Sequence, residues 1–308
     1  MNLLIAKRNG MNSEEIYELS KLGFNILEDG SDTLPYQGDR EKIEAVICYQ
    51  FFKHNDIRTF PNLKLIHLTS AGYDHMPLDY IREKGIALYN ARGLYSVAIA
   101  EFVLWGVLSL YKEAACFRAQ ADAHRWKQLG TLRELGGKSV TILGAGSIAA
   151  EISKRFTAMG CTVTALCRHP KPDENFFAVK SVRELNSLLP ETDILILAAP
   201  LTEETRHIMN AERFALMKKG SCFVNIARGA LADTDAIISA LESEQLSGAV
   251  LDVFEEEPLP ENHPLWDMKN VILTPHNAFA GEFNGRRCFA MMKNDLKAWM
   301  DENKKGII

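Results

Sequence analysis

In the second half of the chain, three short polar clusters interrupt runs of apolar residues. Ala227-Arg228-Gly229 follows Phe223-Val224-Asn225-Ile226. Asp252 and Glu255-Glu256-Glu257-Pro258 follow Ala249-Val250-Leu251, and Pro275-His276-Asn277 follows Val271-Ile272-Leu273-Thr274. A histidine exchanges protons near neutral pH and is the commonest general acid or base. A carboxylate can orient such a ring and stabilises its charged form, while arginine offers a planar fork of donors to a carboxylate or carbonyl oxygen. Singly, each residue has an ordinary reading as a surface arginine, a solvated acidic run or a loop histidine. Their shared place at strand C-terminal ends marks them, because ligands of open α/β sheets bind beyond those ends. Spacing alone leaves open which of Glu255, Glu256 and Glu257 would serve His276.

The stretch that must position them is Gly136 to Ala149. Its apolar run Val140 to Leu143 reads as a buried strand, broken at Gly144-Ala-Gly146-Ser-Ile-Ala149 and followed at once by a helical segment to Ala158. Gly144 permits a tight turn, Gly146 lets backbone approach a pyrophosphate, and Ala149 allows helix to pack closely on strand. The free N–H groups at the start of that helix face the phosphates. A second strand, Cys161 to Leu166, follows at the distance a dinucleotide-binding unit requires.

Around this motif the chain alternates strand-like and helix-like segments, which predicts parallel α/β architecture. In the first part, Leu3 to Ala6, Phe24 to Leu27, Ala45 to Tyr49, Leu63 to Leu68 and Ile86 to Tyr89 are strand-like. Asn12-x-x-Glu15 is a capping-box variant that starts a helix to about Leu22. Val97 to His124 has helical composition throughout. Six further strands follow: Ser139 to Leu143, Cys161 to Leu166, Asp193 to Ala198, Cys222 to Ile226, Ser247 to Asp252 and Val271 to Thr274. Ser181-x-x-Glu184 starts one intervening helix, Asp233 to Ser243 forms another, and Gly285 to Glu302 forms a last helix returning to the first domain. The expected fold is thus a Rossmann-type doubly wound domain over 98–281 and a smaller parallel α/β domain, discontinuous, over 1–97 and 282–308.

Composition narrows the function. A length of 308 residues accommodates two domains, and a formal net charge of −5 speaks against nucleic acid as a partner. Six cysteines without C-x-x-C spacing fit free thiols in a reducing cytoplasm and no metal site. The start of the chain lacks a signal-peptide layout, and the longest apolar stretch, near Val97 to Leu110, contains Glu101 and is too short to span a bilayer.

At this point the chain resembles the D-isomer-specific 2-hydroxyacid dehydrogenases. The resemblance rests on Gly144-Ala-Gly146-Ser-Ile-Ala149, Pro200-Leu-Thr202-Glu-Glu-Thr205-Arg-His, Val224-Asn-Ile-Ala-Arg228-Gly229-Ala, Leu251-Asp252-Val-Phe-Glu-Glu-Glu257-Pro258-Leu-Pro and Thr274-Pro275-His276. Ser70-Ala71-Gly72-Tyr73-Asp74-His75 adds a match in the first domain. It implies a flavodoxin-like substrate domain and reduction of a small 2-keto acid to the D-2-hydroxy acid, as in glyoxylate or hydroxypyruvate reductases. It also implies a catalytic trio of Arg228, Glu257 and His276, with Glu257 chosen because the family's acid directly precedes the proline. Amides of Ala71 and Gly72 would hold the substrate carboxylate. Gly144, Gly146, Ser147, Ile148, Pro200, Thr202, Ala227 and Asp252 would meet the cofactor, the last near the nicotinamide carboxamide, while Pro200 and Thr202 have an equal reading as formers of the turn before a helix. Tyr49, Phe51 and Phe52 would line the substrate pocket or pack in the core. Family members commonly dimerise through the segment corresponding to Val97 to His124.

One position departs from the family's commoner pattern. NAD-using members carry an acid at the end of the second strand for the ribose hydroxyls, whereas this chain has Cys167 there, followed by Arg168-His169-Pro170-Lys171. A carboxylate repels a 2′-phosphate and a guanidinium pairs with it, so NADP is expected ahead of NAD. Formate dehydrogenases resemble this sheet but pair their histidine with glutamine, and Glu257 speaks against them. Phosphoglycerate dehydrogenase activity, or a role as a dinucleotide-sensing corepressor-like binding protein, stays open as an alternative.

Overall fold

The computed structural model describes residues 1–6, 11–27, 30–73 and 75–304. Asp74, within the Ser70 to His75 match, lies outside the described residues. The chain divides into two compact units, Met1–Tyr95 with Gly281–Ile308, and Ser96–Ala280.

The first unit holds five parallel strands: β1 (Asn2–Ile5), β2 (Asn25–Leu27), β3 (Ala45–Cys48), β4 (Leu65–Leu68) and β5 (Ala87–Tyr89). Their order is β2-β1-β3-β4-β5, that of a flavodoxin-like sheet. Every residue of β3 and β4 is buried, which is why both read as unbroken apolar runs in sequence. The expected capping box forms: Asn12 Oδ1 accepts from the Glu15 N–H at 2.9 Å, and Glu15 returns a carboxylate oxygen to the Asn12 N–H at 2.9 Å. The helix it starts, Ser13–Ser20, lays Ile16 and Leu19 on the sheet. The long C-terminal helix Asn284–Lys304 covers the same core with Cys288, Met292, Leu296 and Trp299. A polar contact ties it to the sheet: wholly buried His67 on β4 meets Asp295 Oδ2 through Nε2 at 3.0 Å.

The second unit holds seven parallel strands, β6 (Ser139–Leu143), β7 (Thr162–Cys167), β8 (Ala178–Ser181), β9 (Ile194–Leu197), β10 (Ser221–Asn225), β11 (Leu246–Leu251) and β12 (Val271–Leu273). Their order, β12-β11-β10-β9-β6-β7-β8, is the doubly wound arrangement expected. It reverses between β6 and β9, and the crevice beyond their C-terminal ends is the topological binding position.

Three local expectations change. The sheet has a seventh strand, β8, a short half-buried edge strand with too little apolar patterning to stand out. The helical stretch expected over Val97 to His124 is two helices, Ser96–Tyr111 and Ala114–Asp122, because Glu113 turns left-handed at φ 53° between them. The Ser181 capping box forms, but it opens a single 3-10 turn, Val182–Glu184, followed by the one-turn helix Leu185–Leu188.

Candidate active site

The glycine turn leaves β6 with Gly144 at φ 124°, a conformation that a side chain rarely tolerates. A Cβ at Gly144 would also lie 2.5 Å from the Ala198 carbonyl oxygen at the end of β9, so the residue must be glycine on both counts. Gly146 is the N-cap of the helix Ser147–Ala158 and supplies no side-chain cap. A Cβ there would meet nothing within 4 Å, so open space lies in front of the first turn. The first intrahelical bond of that turn is Ala150 N–H to the Gly146 carbonyl. The amides of Ser147, Ile148 and Ala149 precede it and are the natural donors to an anion. Buried Ala149 closes helix onto strand. The turn therefore fits the pyrophosphate of a dinucleotide: room for phosphate, aligned amides, and no side chain in the way.

At the end of β7, Arg168 projects from Cys167 and pairs with Glu204, Nη2 to Oε2 at 3.3 Å. Glu204 belongs to the loop after β9, which is knitted together locally. The Thr202 hydroxyl donates to Glu204 Oε2 at 2.7 Å, the Thr202 N–H to Thr205 Oγ1 at 2.7 Å, and the Thr205 hydroxyl to the Pro200 carbonyl at 2.9 Å. Thr202 and Pro200 are thus employed in shaping the loop.

The polar residues beyond β10, β11 and β12 interlock. Asn225, buried at the end of β10, donates through Nδ2 to the Arg228 carbonyl at 2.9 Å and accepts the Ala227 N–H at 3.2 Å. That clamp shapes the turn from which Arg228 projects, half-buried, with Nη1 donating to the Ala227 carbonyl at 2.7 Å. Gly229 lies directly against the next loop: a Cβ there would overlap the Phe254 carbonyl group and the Glu255 nitrogen.

Asp252, only 1% exposed, braces the histidine loop. Its Oδ1 accepts from the Thr274 hydroxyl at 2.6 Å and the Asn277 N–H at 2.8 Å, and its Oδ2 from the Ala278 N–H at 2.9 Å. Its carbonyl accepts the His276 N–H at 2.8 Å. Those bonds hold His276 at φ 52°, a left-handed conformation unfavourable for a residue with a Cβ. The histidine ring then meets Glu257, Nδ1 to Oε2 at 2.9 Å, while Glu257 Oε1 accepts the Phe254 N–H at 3.0 Å. An ionised carboxylate only accepts, so Nδ1 carries the proton in this pair and Nε2 is the nitrogen left to face a reactant.

This geometry separates the three glutamates. Glu255 turns to the other side, where Oε2 meets His207 Nε2 at 2.8 Å and Oε1 accepts the Thr234 hydroxyl at 2.8 Å and its N–H at 3.1 Å. Burial would raise the Glu255 carboxyl, but the His207 and Thr234 donors outweigh it and hold it below the ordinary range. Glu257 alone of the three joins His276 by hydrogen bond among the described contacts.

In the first unit, the loop after β4 carries Ala71 and Gly72. Their carbonyls accept from Asn90 Nδ2 at 2.7 Å and the Ser70 hydroxyl at 2.8 Å. Beyond β3, Asp32 accepts from the N–H groups of Tyr49, Gln50 and Phe51, at 2.7, 2.9 and 3.2 Å, a brace with no local sequence signal. Tyr49 is exposed, whereas Phe51 is wholly buried among Tyr36, Phe52 and Phe60 and belongs to the core, so it is no pocket residue. The bracing roles of Asn225 and Thr274 were likewise not evident from the sequence. Asn225 had a signal, a polar residue closing an apolar strand.

Residues 104–278 match the family model for the NAD-binding domain of the D-isomer-specific 2-hydroxyacid dehydrogenases. A glyoxylate reductase of Thermofilum pendens is 33% identical over 250 residues, 77% of this chain and 74% of its own. The crystal structure of a glyoxylate reductase from Paecilomyes thermophila superposes with a TM-score of 0.86 at 27% identity, covering 98% of this chain and 96% of that one. A D-isomer-specific 2-hydroxyacid dehydrogenase from Xanthobacter autotrophicus Py2, solved with NADPH and MES, gives a TM-score of 0.78 at 28% identity, covering 98% and 95%.

Proposed function

The chain belongs to the D-isomer-specific 2-hydroxyacid dehydrogenases, and on that premise we propose that it reduces glyoxylate or hydroxypyruvate, using NADPH ahead of NADH. Reduction of 2-keto acids by a nicotinamide dinucleotide is the family's activity, and the chain is an oxidoreductase of that kind. The observation that carries the catalytic reading is the His276–Glu257 pair at 2.9 Å, locked by the Phe254 N–H on one side and the Asp252 carbonyl on the other.

When bound, the dihydronicotinamide supplies the hydride for the carbonyl carbon. His276 delivers a proton from Nε2 to the carbonyl oxygen and takes it back in the reverse direction. Glu257 fixes the ring so that Nε2 is the reactive nitrogen. Arg228 binds the substrate carboxylate and stabilises negative charge developing on the carbonyl oxygen. Ala71 and Gly72 offer amides to the carboxylate, and exposed Tyr49 borders the substrate. Gly144, Gly146, Ser147 and Ile148 receive the pyrophosphate. Pro200, Thr202 and Ala227 would flank the dinucleotide, and Asp252 would lie near its carboxamide.

NADPH is favoured because Arg168 follows Cys167 where a ribose-binding acid would stand. None of the six cysteines forms a disulfide, in keeping with a cytoplasmic setting. A second copy of the chain is the partner proposed for the helix Ala114–Asp122, which has no buried residue.

Initial-rate assays with glyoxylate, hydroxypyruvate, pyruvate and branched or aromatic 2-keto acids, each with NADPH and NADH, test the reading. The expected result is the highest kcat/KM for one of the first two with NADPH. A preference for a bulky keto acid would overturn the substrate assignment, and a preference for NADH the cofactor assignment.

A further inference from the structure

Strands β7 and β9 flank β6 in the sheet, so the Arg168–Glu204 ion pair joins the two loops on either side of the glycine turn. Adjacent strands lie about 4.8 Å apart, so the two side chains reach across roughly two strand spacings. The sequence offers no carboxylate at Cys167, yet the fold brings one to the Arg168 guanidinium from the loop after β9. We propose that Glu204 is a cofactor-specificity residue: its carboxylate competes with a 2′-phosphate for Arg168 and accepts from the 2′-hydroxyl of an unphosphorylated ribose. This rests on the reading that Arg168 faces the 2′ position of the cofactor.

The Thr202 hydroxyl, the backbone N–H of Glu204 and the nearby guanidinium hold the Glu204 carboxyl below its usual range, so its charge is present at neutral pH. Thr202 also restrains the side chain, which keeps the carboxylate beside Arg168. Both partners are largely exposed, 64% for Arg168 and 72% for Glu204, and exposed pairs exchange partners at little cost. A phosphate therefore displaces Glu204 from Arg168 but still meets its repulsion. An unphosphorylated ribose meets an acceptor instead. The outcome is an enzyme whose preference for NADPH is held to a moderate level, with NADH retained as a working cofactor.

Binding of adenosine 2′,5′-bisphosphate and of 5′-AMP, which differ only in the 2′-phosphate, tests this by calorimetry without recourse to turnover. The Glu204→Gln substitution keeps an acceptor for the Thr202 hydroxyl and removes the charge. Glu204→Gln should raise the preference for the bisphosphate over 5′-AMP roughly three- to tenfold, the scale of one exposed charge facing a doubly charged phosphate a few Å away in water. Arg168→Ala should lower that preference. If Arg168→Ala lowers it and Glu204→Gln leaves it unchanged or lowers it, the role of Glu204 is overturned while the NADP reading stands. If Arg168→Ala leaves it unchanged, Arg168 is not the phosphate partner, and both readings fall.

Discussion

Removing the His276 imidazole is the most direct perturbation of the proposed chemistry. His276→Ala should lower kcat by roughly 10²–10⁴-fold, the usual worth of a positioned acid or base. Dinucleotide affinity should hold, since the glycine turn lies on a different strand; a variant with near-normal turnover would remove His276 from the role. Glu257→Gln asks a subtler question, because an amide can present N–H to Nδ1 and move the ring proton to Nε2. That tautomer cannot serve the reaction in the same way, and a fall in kcat of roughly 10²-fold or more is expected. Glu255→Gln, by contrast, should leave most of the turnover in place, and an equal loss from both variants would contradict the separation of roles. Residue types at the strand ends were legible in the sequence, as was the whole glycine turn. The division of labour between Glu255 and Glu257 was not, because the partner that draws Glu255 away, His207, lies 48 residues distant. Only the family resemblance pointed to Glu257, which is the glutamate hydrogen-bonded to His276 among the described contacts.

Loops that carry these side chains are fixed by their neighbours. Gly229 has Phe254 and Glu255 backbone pressed on its Cα, so Gly229→Ala must push away the segment that bears Glu257. Loss of both activity and thermal stability is expected, with kcat falling further than a mild drop in Tm would explain; unchanged kcat would show that the loop yields freely. Asp193, just before β9, accepts the Ser139 N–H at 3.0 Å and pairs with Lys218 at 2.7 Å. Burial alone would raise its carboxyl, but Lys218, the Ser139 N–H and Lys138 outweigh that and hold it below the ordinary range. A depressed carboxyl contributes stability above its unfolded pKa, near 3.9, and loses it as pH falls through the folded value. Asp193→Asn should therefore cost about 1–2 kcal/mol at pH 7, at the low end for a charged hydrogen bond because Lys218 is half exposed. Thermal melts from pH 7 down to 2 should show the gap narrowing below about pH 4; a constant gap would contradict the assignment. Central strands were legible to within a residue or two because burial on both faces leaves continuous apolar runs. The turn at Glu113 was not, since neither Gly nor Pro marks it.

For the molecule as a whole, the helix Ala114–Asp122 and fully exposed Trp126 present apolar groups that the chain itself does not cover. Light scattering should give twice the 34.5 kDa chain mass, and Phe117→Asp should shift the equilibrium toward single chains. A wild-type mass of one chain at micromolar concentration would refute the dimer. The C-terminal helix carries a different consequence, for synthesis on the ribosome. Its residues Cys288, Met292, Leu296 and Trp299 cover Leu3, Ile5 and Leu65, yet they are translated after the entire second unit. At bacterial or eukaryotic elongation rates, the first sheet would wait roughly ten to forty seconds for its cover. A nascent chain of residues 1–280, extended by a linker long enough to clear the exit tunnel, should therefore yield a protease-resistant second unit and a digestible first one, with protection of the first appearing only when residues 281–304 are also present outside the tunnel.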